Sequence, residues 1–163
     1  MNECNFLLER ATKLQNEKCV SKHIKIGEVA AALLTNKGSI YTGVSISGAY
    51  SIGMCAERNA IANMLANDES EIVQIVAVSF EGIINPCCVC REGMRQLGSY
   101  SRNIEVMLTE KRVCTLDELA PDRWAEKIIF WSDDNEENYS KAYNFHRFND
   151  DFDIWIMRLW KQS

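Results

Sequence analysis

The 163-residue sequence has no basic run, no long apolar run and no internal repeat. Its 18 basic residues are outnumbered by 23 acidic residues, which gives a formal net charge of -5. Because binding to long nucleic acid relies on lysine and arginine to neutralise phosphates, we expect no such partner. No segment has the length of apolar sequence that a membrane span needs, so we expect no membrane partner either.

The first residues also lack the basic and apolar regions of a secretory leader. The chain nevertheless contains an odd number of cysteines, seven in all: Cys4, Cys19, Cys55, Cys87, Cys88, Cys90 and Cys114. An odd count argues against a secreted disulfide framework, so metal-bound thiolates in a reduced, cytoplasmic compartment are the better interpretation. We expect Cys4, Cys19 and Cys114 to be small apolar residues in the core.

Length and composition favour one globular domain over residues 1–163, with a core over about 1–124 and an extension over about 125–163. The composition changes at that boundary, because ten of the fifteen aromatic residues follow position 123. Five apolar residues of the extension share one face of a predicted helix: Phe152, Trp155, Ile156, Leu159 and Trp160. We expect this aromatic-rich segment to pack on the domain or on a partner subunit. The alternative is that this segment forms a lid over the substrate site.

Hydrophobic periodicity predicts the element order αββαβαβ before the extension. The predicted helices cover residues 4–15, 55–66 and 87–97. The predicted strands cover residues 24–34, 40–46, 72–80 and 104–108. Residues 82–86 are predicted to be a turn, and Gly98 to end the third helix. Strands that alternate with helices indicate an α/β domain with helices packed on the faces of its sheet.

Two cysteine motifs stand at the starts of the second and third predicted helices. The first is Cys55-Ala56-Glu57, and the second is the segment Pro86–Cys90 with Cys87 and Cys90 in a C-x-x-C spacing. That spacing lets both sulfurs reach one zinc ion. Three thiolates with an open fourth position describe a catalytic zinc site, whereas structural sites are closed by four protein ligands. The helix starts are expected to lower the pKa values of these thiols.

The order of the two motifs matches the signature of zinc deaminases, in which an H-x-E or C-x-E segment precedes P-C-x-x-C. We therefore predict that Cys55, Cys87 and Cys90 bind zinc. Glu57 is predicted to move protons during catalysis without binding the ion. Either motif alone would be weak evidence, since C-x-x-C also occurs in redox pairs and structural zinc sites. Cys88 is predicted to be a bystander that faces the helix interior.

At these motifs the sequence resembles the zinc-dependent cytidine deaminase family, within a broad cytidine deaminase and blasticidin S deaminase-like group. The resemblance covers about residues 24–124, and the segments 28–35 and 115–121 are among those that match. It implies a three-layer α/β/α domain with a five-stranded mixed sheet. It also implies a homo-oligomer, a tetramer or a dimer, whose active sites borrow residues from neighbouring subunits.

The resemblance implies further roles for residues around the motifs. Arg58 would hydrogen-bond the ligand sulfurs, and the backbone near Ala56 and Pro86 would contact the base of the substrate. The positions that hold the ribose in cytidine deaminases carry Ser45 and Ser47 here. Because serine hydroxyls are short and neutral, we expect the ribose clamp to be absent. The position of the aromatic residue that packs on the pyrimidine carries Gly27, which has no side chain.

The expected activity is a zinc-dependent hydrolytic deamination. An exocyclic amine on a cytosine-like nucleoside, or on a related small molecule, would become a carbonyl with release of ammonia. One alternative is a deaminase-fold binding protein without activity, as the altered ribose positions would allow. The other is a structural zinc module in which Cys88 or another cysteine is the fourth ligand. His23 and His146 match no part of the ligand pattern, and we expect them at the surface.

Overall fold

The structure is a computed structural model that describes the backbone of residues 3–120 and the side chains of residues 5–120. The described helices are α1 (Glu3–Leu14), α2 (Ala56–Leu65), α3 (Cys88–Arg95) and α4 (Leu116–Leu119). The described strands are β1 (Lys18–Ser21), β2 (Ile24–Thr35), β3 (Ile40–Gly48), β4 (Gly53–Met54), β5 (Ile72–Ser79), β6 (Gly82–Ile84), β7 (Glu105–Thr109) and β8 (Arg112–Thr115). The aromatic-rich segment over about 125–163, the side chain of Cys4 and the residue His146 lie outside this description.

The strands form one mixed sheet in the order β4-β3-β2-β5-β7-β8, with β1 added to β2 and β6 added to β5. The β5–β7 pair is parallel, and the other pairs are antiparallel. A parallel pair needs a crossover connection, and here the connection carries α3. The expected five strands are the continuous path β3-β2-β5-β7-β8, to which three short segments are added. The predicted α/β fold is confirmed.

Helices cover both faces of the sheet and produce two separate apolar cores. On one face, Leu7 and Ala11 of α1 pack with the even-numbered β2 residue Ala30. On the other face, Ala60 of α2 packs with the odd-numbered Leu33. Alternate residues of a strand point to opposite faces, so a strand buried on both faces reads as a continuous apolar run. This is why β2 lacks polar alternation and why the domain has three layers.

The first turn of α2 lies unusually close to β3 at Gly43. A Cβ atom at this position would lie less than 3.0 Å from the Ala60 nitrogen and the Ala56 oxygen. Two asparagines of α2 secure the contact, since Asn59 Nδ2 donates to the Val44 carbonyl at 3.0 Å and Asn63 Nδ2 to the Thr42 carbonyl at 2.8 Å. The absence of a side chain at Gly43 therefore fixes the start of α2 against the sheet.

The structure differs from the sequence prediction at several short elements. Residues 82–84 form β6 in a hairpin with β5, where only a turn was predicted. Strand β8 and the short strands β1 and β4 were not predicted, because two to four residues carry too little periodicity. Helix α3 ends at Arg95, three residues before the predicted stop at Gly98. Within residues 3–120, no helix has the length and apolar character that crossing a bilayer requires.

We expect Gly43→Ala to lower the free energy of unfolding by about 1–3 kcal/mol, because the new methyl group must displace backbone atoms of α2. The matched control is Gly93→Ala inside α3, where the added Cβ meets no atom within 4 Å. Alanine has the higher helix propensity, so this control should be neutral or stabilising by up to about 1 kcal/mol. Chemical denaturation measures both changes. Equal effects of the two substitutions would contradict the close contact at Gly43.

Candidate active site

Two helix starts bring three cysteine sulfurs together. Cys55 is the N-terminal cap of α2, Cys87 is the N-terminal cap of α3, and Cys90 lies in the first turn of α3. The Sγ atoms of Cys55 and Cys87 are 3.7 Å apart, and those of Cys87 and Cys90 are 3.5 Å apart. All three sulfurs lie within 4.8 Å of one another. Residues 32 positions apart in the sequence thus meet at one point, as the motif spacing predicted.

These distances fit a zinc ion. Four ligands at about 2.3 Å from a tetrahedral zinc lie about 3.8 Å from each other, close to the sulfur separations in the cluster. In the described part of the chain, no fourth cysteine, histidine or carboxylate joins this group, and Cys88 is not a member. A set of three protein ligands leaves one position open for water or substrate, which is the arrangement of catalytic zinc sites.

The three thiols differ in their surroundings. Burial opposes the ionisation of Cys87, but the backbone N–H of Cys90, the thiols of Cys90 and Cys55 and the N–H of Val89 together lower its pKa. Val89 and Cys90 lie in the first turn of α3, so the N–H groups that lower the pKa of Cys87 belong to the start of this helix. Burial raises the pKa of the Cys90 thiol, and the charge of Glu57 raises it further. The predicted lowering of the thiol pKa by the helix start is therefore confirmed for Cys87 and wrong for Cys90.

The carboxylate predicted to carry protons is buried beside the cluster. Glu57 is the second residue of α2, and only 4% of its surface is exposed. Its neighbour Arg58 has a buried Nε atom without a hydrogen-bond partner. Among the described residues, Arg58 therefore makes no Nε hydrogen bond to the sulfurs. The Glu57 carboxylate lies close enough to Cys90 for its charge to act on that thiol, and Arg58 is the next residue in the first turn of α2.

Sequence reasoning missed Arg91, which holds the loop before Cys87 in place. Its Nε donates to the Pro86 carbonyl at 2.8 Å, and its Nη1 donates to the Leu119 carbonyl at 3.1 Å. Because α4 begins with a capping box between Thr115 and Glu118, this second bond ties the loop to an ordered helix. The sequence signal was available, since an arginine four residues after Cys87 lies one helical turn along α3.

The four residues predicted to contact substrate have different surroundings. Ala56 and Pro86 are buried. The hydroxyl of Ser45 accepts a hydrogen bond from the Val29 N–H at 2.9 Å, and that of Ser47 donates to a Glu28 oxygen at 2.9 Å. Both serines are thus bonded to β2, which sequence reasoning did not foresee.

The remaining cysteines and His23 play no part in the cluster. Cys19 is exposed, so its predicted burial is wrong, because the short strand β1 is uncovered along its whole length. Cys114 is half-buried. Cys88 is exposed, which contradicts the predicted orientation towards the helix interior, although it does stand apart from the sulfur cluster. His23 is exposed, as predicted.

Comparison with known proteins places this arrangement in a family. Residues 1–106 match the family model described as the cytidine and deoxycytidylate deaminase zinc-binding region. Because the match spans more than half of the sequence, the chain belongs to this family. A probable cytidine deaminase from Dictyostelium discoideum is 28% identical over 137 residues, which are 80% of this chain and 88% of the relative.

Solved structures support the same assignment. A cytidine deaminase from Burkholderia pseudomallei is 31% identical with a TM-score of 0.61, and the match covers 76% of this chain and 100% of that chain. A cytidine deaminase from Mycobacterium leprae is 24% identical with a TM-score of 0.62. The match covers 75% of this chain and 100% of that chain, and it shows that the two share the fold. The family and the three-cysteine cluster identify the protein as a zinc-dependent hydrolytic deaminase. They favour this predicted activity over the two alternatives, an inactive binding protein and a structural zinc module.

We expect Arg91→Lys to weaken zinc retention, because lysine cannot bond both carbonyls that hold the Cys87 loop. A loss of about 10-fold in zinc affinity is expected, as for other residues that orient metal ligands. Competition with a chromogenic chelator measures the affinity. The matched control is Arg112→Lys, an exposed arginine on β8. If both variants kept zinc as the unaltered protein does, Arg91 would have no role in positioning the cluster.

Proposed function

We propose that this deaminase acts on a cytosine-like nucleoside or a related small molecule, and converts its exocyclic amine to a carbonyl with release of ammonia. The observation that carries the proposal is the convergence of Cys55, Cys87 and Cys90, with the buried carboxylate of Glu57 on the adjoining helical turn. The relatives described above are named as cytidine deaminases, which supports the same ring system.

In the proposed mechanism the three thiolates hold zinc. When bound, zinc would act as a Lewis acid that lowers the pKa of water towards neutrality. Glu57 accepts a proton from the attacking water at a carboxylate oxygen and gives it to the ring nitrogen next to the amine-bearing carbon. The same carboxylate then takes the proton of the newly added hydroxyl and passes it to the amine, so that the carbonyl forms as the carbon–nitrogen bond breaks. One water is consumed and one ammonia released, so atoms and charge balance without a further reactant.

Arg58 and the backbone groups near the cluster complete the proposed site. Three thiolates and one divalent ion carry a net negative charge, which the guanidinium of Arg58 offsets. Its unpaired, buried Nε supports this role, because such a donor costs stability unless a partner is present in the working enzyme. The backbone at Ala56 and Pro86 is proposed to contact the base, and the hydroxyls of Ser45 and Ser47 to lie near the rest of the substrate.

Exposed apolar side chains near the site support a homo-oligomer, a tetramer or a dimer. Tyr50 is 97% exposed and Ile52 is 73% exposed in the segment that leads to Cys55, and Val89 in the ligand helix is 60% exposed. Apolar surface of this kind commonly becomes buried against another protein. We further propose a cytoplasmic location, which the free state of all six described cysteines supports.

Glu57→Gln should keep zinc and lose activity by at least about 10²-fold, because the amide cannot carry protons but preserves shape. Ammonia release from cytidine, deoxycytidine, cytosine and blasticidin S measures activity, and elemental analysis measures zinc. The matched control is Glu92→Gln, a carboxylate of α3 that bonds Gln96. Activity retained in the Glu57 variant would remove this residue from its proposed role.

The oligomer is tested by light scattering on the purified, zinc-loaded protein. We expect a mass of two or four times the 18.6 kDa of the chain. Replacing Ile52 by aspartate should shift the mass towards a single chain, because a charge cannot be buried at an apolar contact without a partner. A monomeric mass for the unaltered protein at micromolar concentration would contradict the proposed assembly.

A further inference from the structure

Helix α3 ends with a second arginine, Arg95, which lies one helical turn after Arg91. Its side chain is only 6% exposed, so it is enclosed by the protein. Its Nη2 atom donates to a carboxylate oxygen of Asp117 at 2.8 Å and to the Ala120 carbonyl at 3.3 Å. Both arginines of α3 therefore bind the segment that contains α4, and the mechanism proposed above gives Arg95 no role.

Helix α4 is too short to hold its own position. Its four residues make about one turn, and a single turn of helix is not stable without tertiary contacts. The first end is fixed by the capping box and by the buried side chain of Leu116. At the other end, as at every helix end, carbonyl groups lack partners inside the helix. Arg91 binds the Leu119 carbonyl there. Arg95 binds the next one, that of Ala120, so α3 supplies contacts that fix this end of α4.

These contacts connect Arg95 to the metal ligand Cys87. Arg95 binds residues on both sides of Leu119, and it thereby constrains where the Leu119 carbonyl lies. That carbonyl accepts a hydrogen bond from Nη1 of Arg91, whose Nε donates to the Pro86 carbonyl at 2.8 Å. Cys87 directly follows Pro86 and contributes one of the three clustered sulfurs. A shift of α4 would therefore be passed through Arg91 to the loop that carries Cys87.

Stability alone does not account for an arginine at this position. The Nη1 atom of Arg95 is buried and has no hydrogen-bond partner within residues 5–120. A buried donor without a partner destabilises the fold, and removing a guanidinium from water is itself costly. The partner carboxylate of Asp117 is 47% exposed, so solvent screens the ion pair. The guanidinium does supply fixed geometry, because its planar group donates in set directions to two acceptors.

We propose that Arg95 is a positioning residue for the zinc site, which holds the end of α4 so that Arg91 can hold the loop before Cys87. Arg95 acts through Arg91 and is not a member of the sulfur cluster. This inference rests on the zinc site of the proposed function. It adds to that function a route by which the far end of α3 affects metal binding.

Arg95→Lys tests the proposal, because lysine keeps the positive charge but cannot hold two acceptors in fixed directions. We expect the zinc affinity to fall about 10-fold, as for Arg91→Lys, since both residues orient the same ligand loop. The double variant should lose no more affinity than Arg91→Lys alone, because the link through Leu119 is already broken. Competition with a chromogenic chelator measures all three affinities.

Ser101→Ala is the matched control. The Ser101 hydroxyl donates to the Arg95 carbonyl at 3.0 Å, so its loss loosens the same end of α3 without removing a hydrogen bond between Arg95 and the α4 segment. The zinc affinity of this variant should equal that of the unaltered protein. Cobalt(II) loaded in place of zinc gives a second readout, since its thiolate charge-transfer bands report the arrangement of the sulfurs. These bands should change alike in the two arginine variants and stay unchanged in Ser101→Ala.

Additive losses of zinc affinity in the double variant would overturn the proposal, as would a loss in Arg95→Lys no larger than that in Ser101→Ala. If Arg95→Lys failed to fold, Asp117→Asn would decide, because it weakens the same contact from a half-exposed position. A lower zinc affinity is expected for Asp117→Asn, and an unchanged affinity would overturn the role of Arg95. Zinc affinity is measured without turnover, so a failure to release ammonia would count against the proposed function alone.

Discussion

The structure depends on one constraint, which is that three sulfurs must lie within about 3.8 Å of each other around a single divalent ion. They come from two helices that are far apart in the sequence, so both helix starts must be held side by side. Cys55 directly follows the antiparallel strand β4, and Cys87 lies in the connection between β6 and α3. A mixed sheet achieves this because the parallel β5–β7 pair places the crossover helix α3 beside α2.

Two glycines adapt the sheet to this site, each by allowing a backbone approach that a side chain would block. Gly43 admits the first turn of α2, and with it the cap residue Cys55 and the carboxylate of Glu57. Gly27 admits the bulge of β2, where the Glu28 side chain accepts a hydrogen bond from Ser47 of β3. The position of α2 and the course of β2 thus both depend on local departures from regular sheet packing.

Much of the site could be predicted from the sequence because its residues are close together within each motif. Cys55 and Glu57 share one helical turn, as do Cys87 and Cys90, and the order of the two motifs along the chain predicted their convergence. The long elements were likewise predictable from periodicity. The position of Arg91 one helical turn after Cys87 could be read from the sequence, but its hydrogen bonds could not, because its partners are backbone carbonyl groups in the preceding loop and in α4. The sign of the Cys90 pKa shift also required the structure, since it follows from burial.

The central claim is that three cysteines hold a zinc ion whose fourth position is open to water and substrate. X-ray absorption at the zinc K edge of the metal-loaded protein tests this claim most directly. We expect three sulfur ligands at about 2.3 Å and one oxygen or nitrogen ligand at about 2.0 Å. Four sulfur ligands without an oxygen would contradict the claim, because a closed site has no position for the attacking water and would hold the fold together without taking part in catalysis.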